Sequence, residues 1–346
     1  MRLRRSFACD LAGNDVKIVC ITTSKNECDV VESFIRHNSR FCDHFCLIDE
    51  SKDATRDILQ NLRSEGFSID IFNPGTSDYQ QEGLINACLD AVRQSRQFDW
   101  AVFLDADEIL PDVTRPEFEA LLAGVPARTC AALGWQTYVP LSLDYFTHED
   151  PLVTNFRPRS TEPRQWFKVM VPASLFADAR VAAGNHRAYL RANGETCATV
   201  NLPLRLAHFP VRSIEQISLK NILACHTLTM KRNRKPGEGS HVYMTLNDLR
   251  RANFAPGYEQ LRDLALKYAD IGAPDCTVDV DEAAPALRSS SAPLRFPELA
   301  RPNVIAIFDR EIEFFARKIL QYREANVAAI ESLGKAEAAI APAAAQ

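Results

Sequence analysis

Two nucleotide-binding signatures are missing from this chain of 346 residues. No G-x-x-x-x-G-K-[S/T] occurs, which argues against a P-loop nucleotidase, and no G-x-G-x-x-G follows the first strand-like run, which argues against a dinucleotide oxidoreductase. Residues 22–27 contain no glycine, where nucleotidyltransferases carry a Gly-rich loop. Long apolar runs are also lacking. Ile18-Val19-Cys20-Ile21 and Ala101-Val102-Phe103-Leu104 are strand-sized, far short of the ~18 residues of a membrane span. The basic start, Met1-Arg2-Leu3-Arg4-Arg5, leads only to Phe7-Ala8-Cys9 before Asp10, so a cytoplasmic protein without a secretory leader is expected, with at most peripheral contact to the inner membrane face. There is no excess of positive charge. Forty Lys and Arg against 45 Asp and Glu give −5, so no global field draws nucleic acid. Ten cysteines without an export signal read as reduced thiols, and Cys42-Asp43-His44-Phe45-Cys46 has no second ligand pair at zinc-site spacing.

What is present is a globular composition, 46% hydrophobic and 25% charged, in a chain long enough for one large α/β domain with additions or two modest domains. The first 110 residues alternate strand and helix patterns. Strands are expected at 17–22, 45–49, 68–72 and 100–104, and helices at 28–38, 53–64 and 79–94. That order predicts βαβ units and a mainly parallel sheet, whose ligands bind where the carboxyl ends of the strands open into loops. Those ends are polar: Thr22-Thr23-Ser24-Lys25-Asn26-Glu27, then 49–53, then 73–81, then Asp105-Ala106-Asp107-Glu108.

The last of these is the most informative. An apolar strand leaves the core and ends in three carboxylates within four residues. Acids at i and i+2 in extended backbone point to the same side, so Asp105 and Asp107 would repel unless a cation or hydrogen-bond donors compensate. A hard divalent ion, Mn²⁺ or Mg²⁺, is the expected compensation, because its oxygen-rich shell is completed by water and phosphate.

With Lys25-Asn26-Glu27, Asp49, Asp105-Ala106-Asp107-Glu108-Ile109, Lys168, Gly184-Asn185-His186 and His208-Phe209-Pro210-Val211-Arg212-Ser213 followed by Gln216 and Lys220, the chain resembles the glycosyltransferase family 2-like proteins, in particular their D-x-D-E subgroup, over about residues 17–225. The resemblance implies a GT-A fold, a Rossmann-like mixed α/β sheet flanked by helices, here with a C-terminal helical extension. It implies a metal-dependent, inverting transferase of polysaccharide biosynthesis that moves a sugar from a nucleotide donor, a UDP-sugar by the family's habit, to a glycan or lipid-linked acceptor. A non-catalytic nucleotide-sugar or glycan binding module on the same fold is the alternative.

On that resemblance Thr22, Asn26, Glu27, Asp49 and Asp105 grip base and ribose, and Asp105 and Asp107 hold the metal with His186 or His208. Lys168, Arg212 and Lys220 are candidates for phosphate or acceptor contacts. Inverting transfer needs a carboxylate base, and Glu108, Asp144, Glu149 and Asp150 are available. The domain boundaries expected are an N-terminal tail (1–14), a transferase domain (15–270, with a nucleotide-binding half at 15–110 and an acceptor-side half at 111–230), a linker (271–303), a C-terminal helix (304–335) and a tail (336–346). The basic, breaker-rich stretch 231–239 is either a lid over bound donor or a solvated loop.

Overall fold

The computed structural model describes residues 16–74, 81–95, 97–110, 112–147, 149–230, 236–270, 278–284, 287–288 and 293–340. The tail expected at 1–14, most of the third strand-end loop (75–80), part of the basic stretch (231–235) and the last residues (341–346) lie outside the described residues.

The strands are β1 (Ile18–Ser24), β2 (His44–Asp49), β3 (Ile69–Phe72), β4 (Trp100–Asp105), β5 (Glu108–Ile109), β6 (Cys130–Pro140), β7 (Phe156–Pro158), β8 (Phe167–Pro172), β9 (Ala179–Val181), β10 (Ala188–Leu190) and β11 (Thr199–His208). The helices are α1 (Val31–Asn38), α2 (Thr55–Ser64), α3 (Gln81–Ser95), α4 (Arg115–Ala123), α5 (Pro151–Thr154), α6 (Ile214–Met230), α7 (Ser240–Arg251), α8 (Tyr258–Leu266) and α9 (Val304–Ile340). One mixed sheet runs β3-β2-β1-β4-β8-β6-β11-β5, with β7 paired to β6, and β9 and β10 form a separate ribbon. β3, β2, β1 and β4 are parallel, and β8 enters antiparallel to both β4 and β6. The expected α/β class, a mixed sheet flanked by helices with a helical C-terminal extension, is the architecture observed.

Strand alternation divides the core between the two faces of the sheet. Ile18, Cys20, Leu47, Val102 and Leu104 pack with Phe34, Ile35, Ile58 and Leu62 of α1 and α2, and with Phe118 of α4. Val19, Ile21, Cys46, Ile48, Ala101 and Phe103 turn to the other face, against Ile85, Leu89 and Val92 of α3. A third cluster joins Val139 and Ile217 to Leu249 and Leu261, so α6, α7 and α8 cover the far end. Among the described residues eight cysteines are buried thiols outside any disulfide, Cys42 and Cys46 among them. Among the described residues no helix is long and apolar enough to cross a membrane.

The chain divides after Pro302 into two compact units. The second is built on α9, which continues to Ile340, past the point where a tail was expected, and exposes Ile305, Ile312 and Ile319 one heptad apart.

Register positions the polar ends. Ser24 stands opposite Asp49 and Thr23 opposite Asp105, so three parallel strands finish level with one another. The turn after β4 is then clamped from below by Asn38, at the buried end of α1. Its Nδ2 donates to the Glu108 carbonyl (3.0 Å) and its Oδ1 accepts from the Leu110 N–H (2.8 Å). Asn38→Leu keeps the volume and orphans two buried backbone groups, so it should lower unfolding free energy by about 2–5 kcal/mol in urea titrations.

Candidate functional site

The loop after β1 is held by the loop after β2. Asn26 adopts φ +59°, a left-handed conformation that Asn tolerates better than most residues. Its N–H donates to Ser51 Oγ (2.8 Å) and its Oδ1 accepts from the Lys52 N–H (2.7 Å), while the Glu27 N–H donates to Thr55 Oγ1 (2.9 Å). Above the sheet end lies a cleft of about 550 Å³, bounded by Thr23 to Glu27, Asp105 to Asp107, Trp135, His186, His208 and Tyr268. α6 supplies Gln216 and Lys220 one turn apart, and with α7 an apolar wall of Leu219, Leu223, Leu228 and Val242. Tyr268 arrives from beyond α8, whose end is tied down by buried Arg159. That guanidinium donates to the Leu266 carbonyl (2.8 Å) and to Asp270 Oδ2 (2.7 Å).

Two lysine–aspartate pairs form the floor. Lys168 Nζ lies 2.5 Å from Asp105 Oδ2, 3.2 Å from Glu108 Oε1 and 3.1 Å from the Gly184 carbonyl, to which it donates. Gly184 has φ +80°, and a Cβ there would stand 2.8 Å from the His186 ring, so the turn that presents this carbonyl requires glycine. Asn185 Nδ2 donates to the other oxygen of Asp105 (3.4 Å). Asp107 points elsewhere. Its Oδ2 accepts from Lys220 Nζ at 2.9 Å and lies 3.6 Å from Arg212, and its Oδ1 lies 3.8 Å from His208 Nε2. Burial alone would raise the Asp107 carboxyl, but the Lys220 ammonium, then the Arg212 guanidinium, hold it well below the usual carboxylate range.

Behind this floor, buried Arg212 donates to both oxygens of Asp29 (2.8 and 2.9 Å), to Glu27 Oε2 (2.5 Å) and to the Phe209 carbonyl (3.0 Å). Burial pushes Glu27 up to about 7 and Glu108 up to about 8, even against the nearby cations. His208 stacks on Trp135, centroids 4.2 Å apart, and burial lowers it to about 3, so it stays neutral. His186 donates from Nδ1 to the Phe167 carbonyl (2.8 Å), and burial, reinforced by Lys168, lowers its pKa as well.

The structure brings Asn26, Glu27, Asp105, Asp107, His186, His208 and Lys220 to one cleft. Other expected contacts lie beneath it. Thr22 and Asp49 are wholly buried, Asp49 accepting from Ser24 Oγ (3.1 Å) and Arg56 Nε (3.0 Å). Lys168 and Arg212 are also fully buried, so the reading of them as ligand contacts is revised: they hold the acids that line the cleft. Glu108 is withdrawn from the reacting groups for the same reason, its Oε2 accepting the Asp105 N–H at 2.8 Å. Asp144, Glu149 and Asp150 do not line the cleft, and Asp150 lies 3.1 Å from His37 Nε2.

The expected metal site is revised on charge and geometry. Ala106 and Asp107 form a turn instead of extended strand, so the i, i+2 argument fails and the two carboxylates go to different partners. Each is compensated by its own ammonium group, and His186 is turned to a backbone carbonyl. Among the described residues no three His, Cys, Asp or Glu side chains group as a metal site. As arranged, these residues do not fit a divalent ion. Trp135 and Tyr268 were not foreseen, Trp135 because it sits within an apolar strand, Tyr268 because it follows the part of the sequence that carries the resemblance.

No protein-family model and no curated protein matches the sequence. Solved structures of similar outline include Staphylococcus aureus TarS residues 1–349 in complex with UDP, at 11% identity and TM-score 0.32, covering 68% of this chain and 72% of that one. The chain spans 46% of the longer TarS structure. The mannosyltransferase PcManGT from Pyrobaculum calidifontis, in complex with GDP-Man and Mn²⁺, gives 11% identity and TM-score 0.34, covering 76% and 77%. A 4-diphosphocytidyl-2C-methyl-D-erythritol synthase from Anaerococcus prevotii gives 14% and 0.29, covering 47% and 73%. At TM-scores of 0.29–0.34, functional assignment falls to the site itself.

His208 gives the site an acid sensitivity. It binds its proton near pH 3 when folded and near ~6.5 when unfolded, so between these values the unfolded chain holds more protons and stability rises with pH. His208→Phe preserves a ring against Trp135 and should remove about 1–3 kcal/mol of the stability difference between pH 4 and pH 6.5, measured by denaturant titration at both.

Proposed function

We propose that the chain is a GT-A-type glycosyltransferase, transferring a sugar from a nucleoside-diphosphate sugar to an acceptor hydroxyl. The observation that carries this reading is the convergence, over the carboxyl ends of β1 and β4, of a reachable ammonium group and an open carboxylate in one cleft. Lys220 has 37% of its side chain exposed and Asp105 has 35%, whereas their supporting residues are sealed. A cleft of this place and size admits a nucleotide-sugar.

In the transfer, the bond between the anomeric carbon and the diphosphate oxygen breaks and its electron pair stays on the diphosphate. The acceptor oxygen forms the new bond and gives up its proton. Cationic donors fixed where the diphosphate charge develops lower that barrier. Asp105, paired with Lys168, is the carboxylate we assign to the donor's hydroxyl groups, and Trp135 offers an apolar ring to a sugar face. Glu27, with its proton affinity near neutrality, is placed on the same wall. The apolar wall from α6 and α7 suits a lipid-linked acceptor.

Thermal-shift measurements on the full chain with UDP- and GDP-sugars should show a donor that raises the melting temperature, as a native-state ligand must. Nucleotide release from that donor should fall by about 10²-fold or more in Asp105→Asn, with circular dichroism unchanged. A donor that binds without being consumed under any acceptor supports the binding-module alternative, and no shift with any nucleotide-sugar overturns the assignment.

A further inference from the structure

We infer that Lys220 itself supplies the positive charge to the donor diphosphate, so that nucleoside-diphosphate binding here is independent of divalent metal; this rests on the transferase reading above. Three aspartates, Asp29, Asp105 and Asp107, meet three cations, Lys168, Arg212 and Lys220, with N–O separations of 2.5 to 2.9 Å in each partnership. Each of these aspartates thus has a cation of this chain, and Glu27 and Glu108 share Arg212 and Lys168 with them. A divalent ion on Asp107 would have to displace the Lys220 ammonium at 2.9 Å and would sit beside Arg212, itself 3.6 Å from the same oxygen. Both contacts oppose it.

Lys220 differs from the other two cations in one respect. Lys168 and Arg212 have no exposed side-chain surface, while Lys220 has 37% and lines the cleft. An ammonium group carries three N–H donors on a flexible stem. One reaches Asp107, which leaves two for phosphate oxygens in the cleft. Asp107 then competes with phosphate for that ammonium, while the helix carries it. Gln216, one turn earlier on α6, is anchored by accepting the Arg212 N–H (3.1 Å) and donating to the Pro210 carbonyl (3.3 Å), which fixes the helix face that carries Lys220.

The roles of Asp107 under the two chemistries have opposite signs. If a metal bridges Asp107 to the diphosphate, removing the carboxylate removes the metal and the affinity with it. With Lys220 as the cation, Asp107→Asn removes a competing anion and leaves the ammonium in place.

Isothermal titration calorimetry of the full-length protein with UDP and with GDP, in EDTA and in Mn²⁺, tests this. Wild-type affinity for the nucleotide that binds is expected to agree within about twofold between the two buffers. Lys220→Ala should weaken it about 10- to 100-fold, Lys220→Arg should recover most of the loss, and Asp107→Asn should bind at least as tightly as wild type. The EDTA-against-Mn²⁺ comparison on the wild type needs no variant to fold. Binding that appears only with Mn²⁺ overturns the inference and leaves the transferase reading standing. Metal-independent binding unchanged in Lys220→Ala also overturns it, by removing Lys220 from the diphosphate. No binding of either nucleotide in either buffer overturns both.

Discussion

The floor of the cleft depends on carboxylates that would repel one another being separated, each onto its own buried or half-buried ammonium. Lys168 draws Asp105 and Glu108 toward β8, while Lys220 and Arg212 draw Asp107 toward α6. A buried carboxylate stripped of its partner is costly, and so is a buried ammonium, which ties the three elements into one electrostatic unit. Burial sorts the acids further: Asp107 stays ionised among cations, whereas Glu108 and Glu27 retain their protons to near or above neutrality. The site thus carries fewer negative charges than its composition suggests.

Much of the scaffold was legible in the sequence because one physical signal dominated it. Alternating apolar runs with amphipathic segments between them located β1 to β4 and α1 to α3 to within a few residues, since each strand must bury both faces under helices. The level ends of those strands followed from the same pattern, and so did the meeting of Asn26, Glu27, Asp105 and Asp107. Beyond residue 240 the periodicity is weaker, and α7, α8 and the arrival of Tyr268 at the cleft were not evident.

The misreadings share a cause. Residue type and strand position say which groups are polar and near the edge, but not which of them face ligand and which hold the floor. Lys168, Arg212 and Glu108 were read as reacting or contacting groups because charged residues at strand ends usually face solvent; here each is sealed and bonded to a neighbour. The geometry on which the metal expectation rested differs for a related reason. That expectation assumed extended backbone through Asp107, where the chain turns, and it had no means of pairing residues 105 and 168, or 107 and 220, that lie far apart in sequence. Only the topology, β8 inserted beside β4 and α6 returning over the sheet edge, creates those partnerships.

The register of β4 between β1 and β8 carries a further implication. Because Thr23 stands opposite Asp105, a slip of one residue along that ladder would turn the apolar alternation inside out and at the same stroke carry the acidic turn ~3.3 Å away from its lysines. Misfolding and inactivation would therefore be a single event.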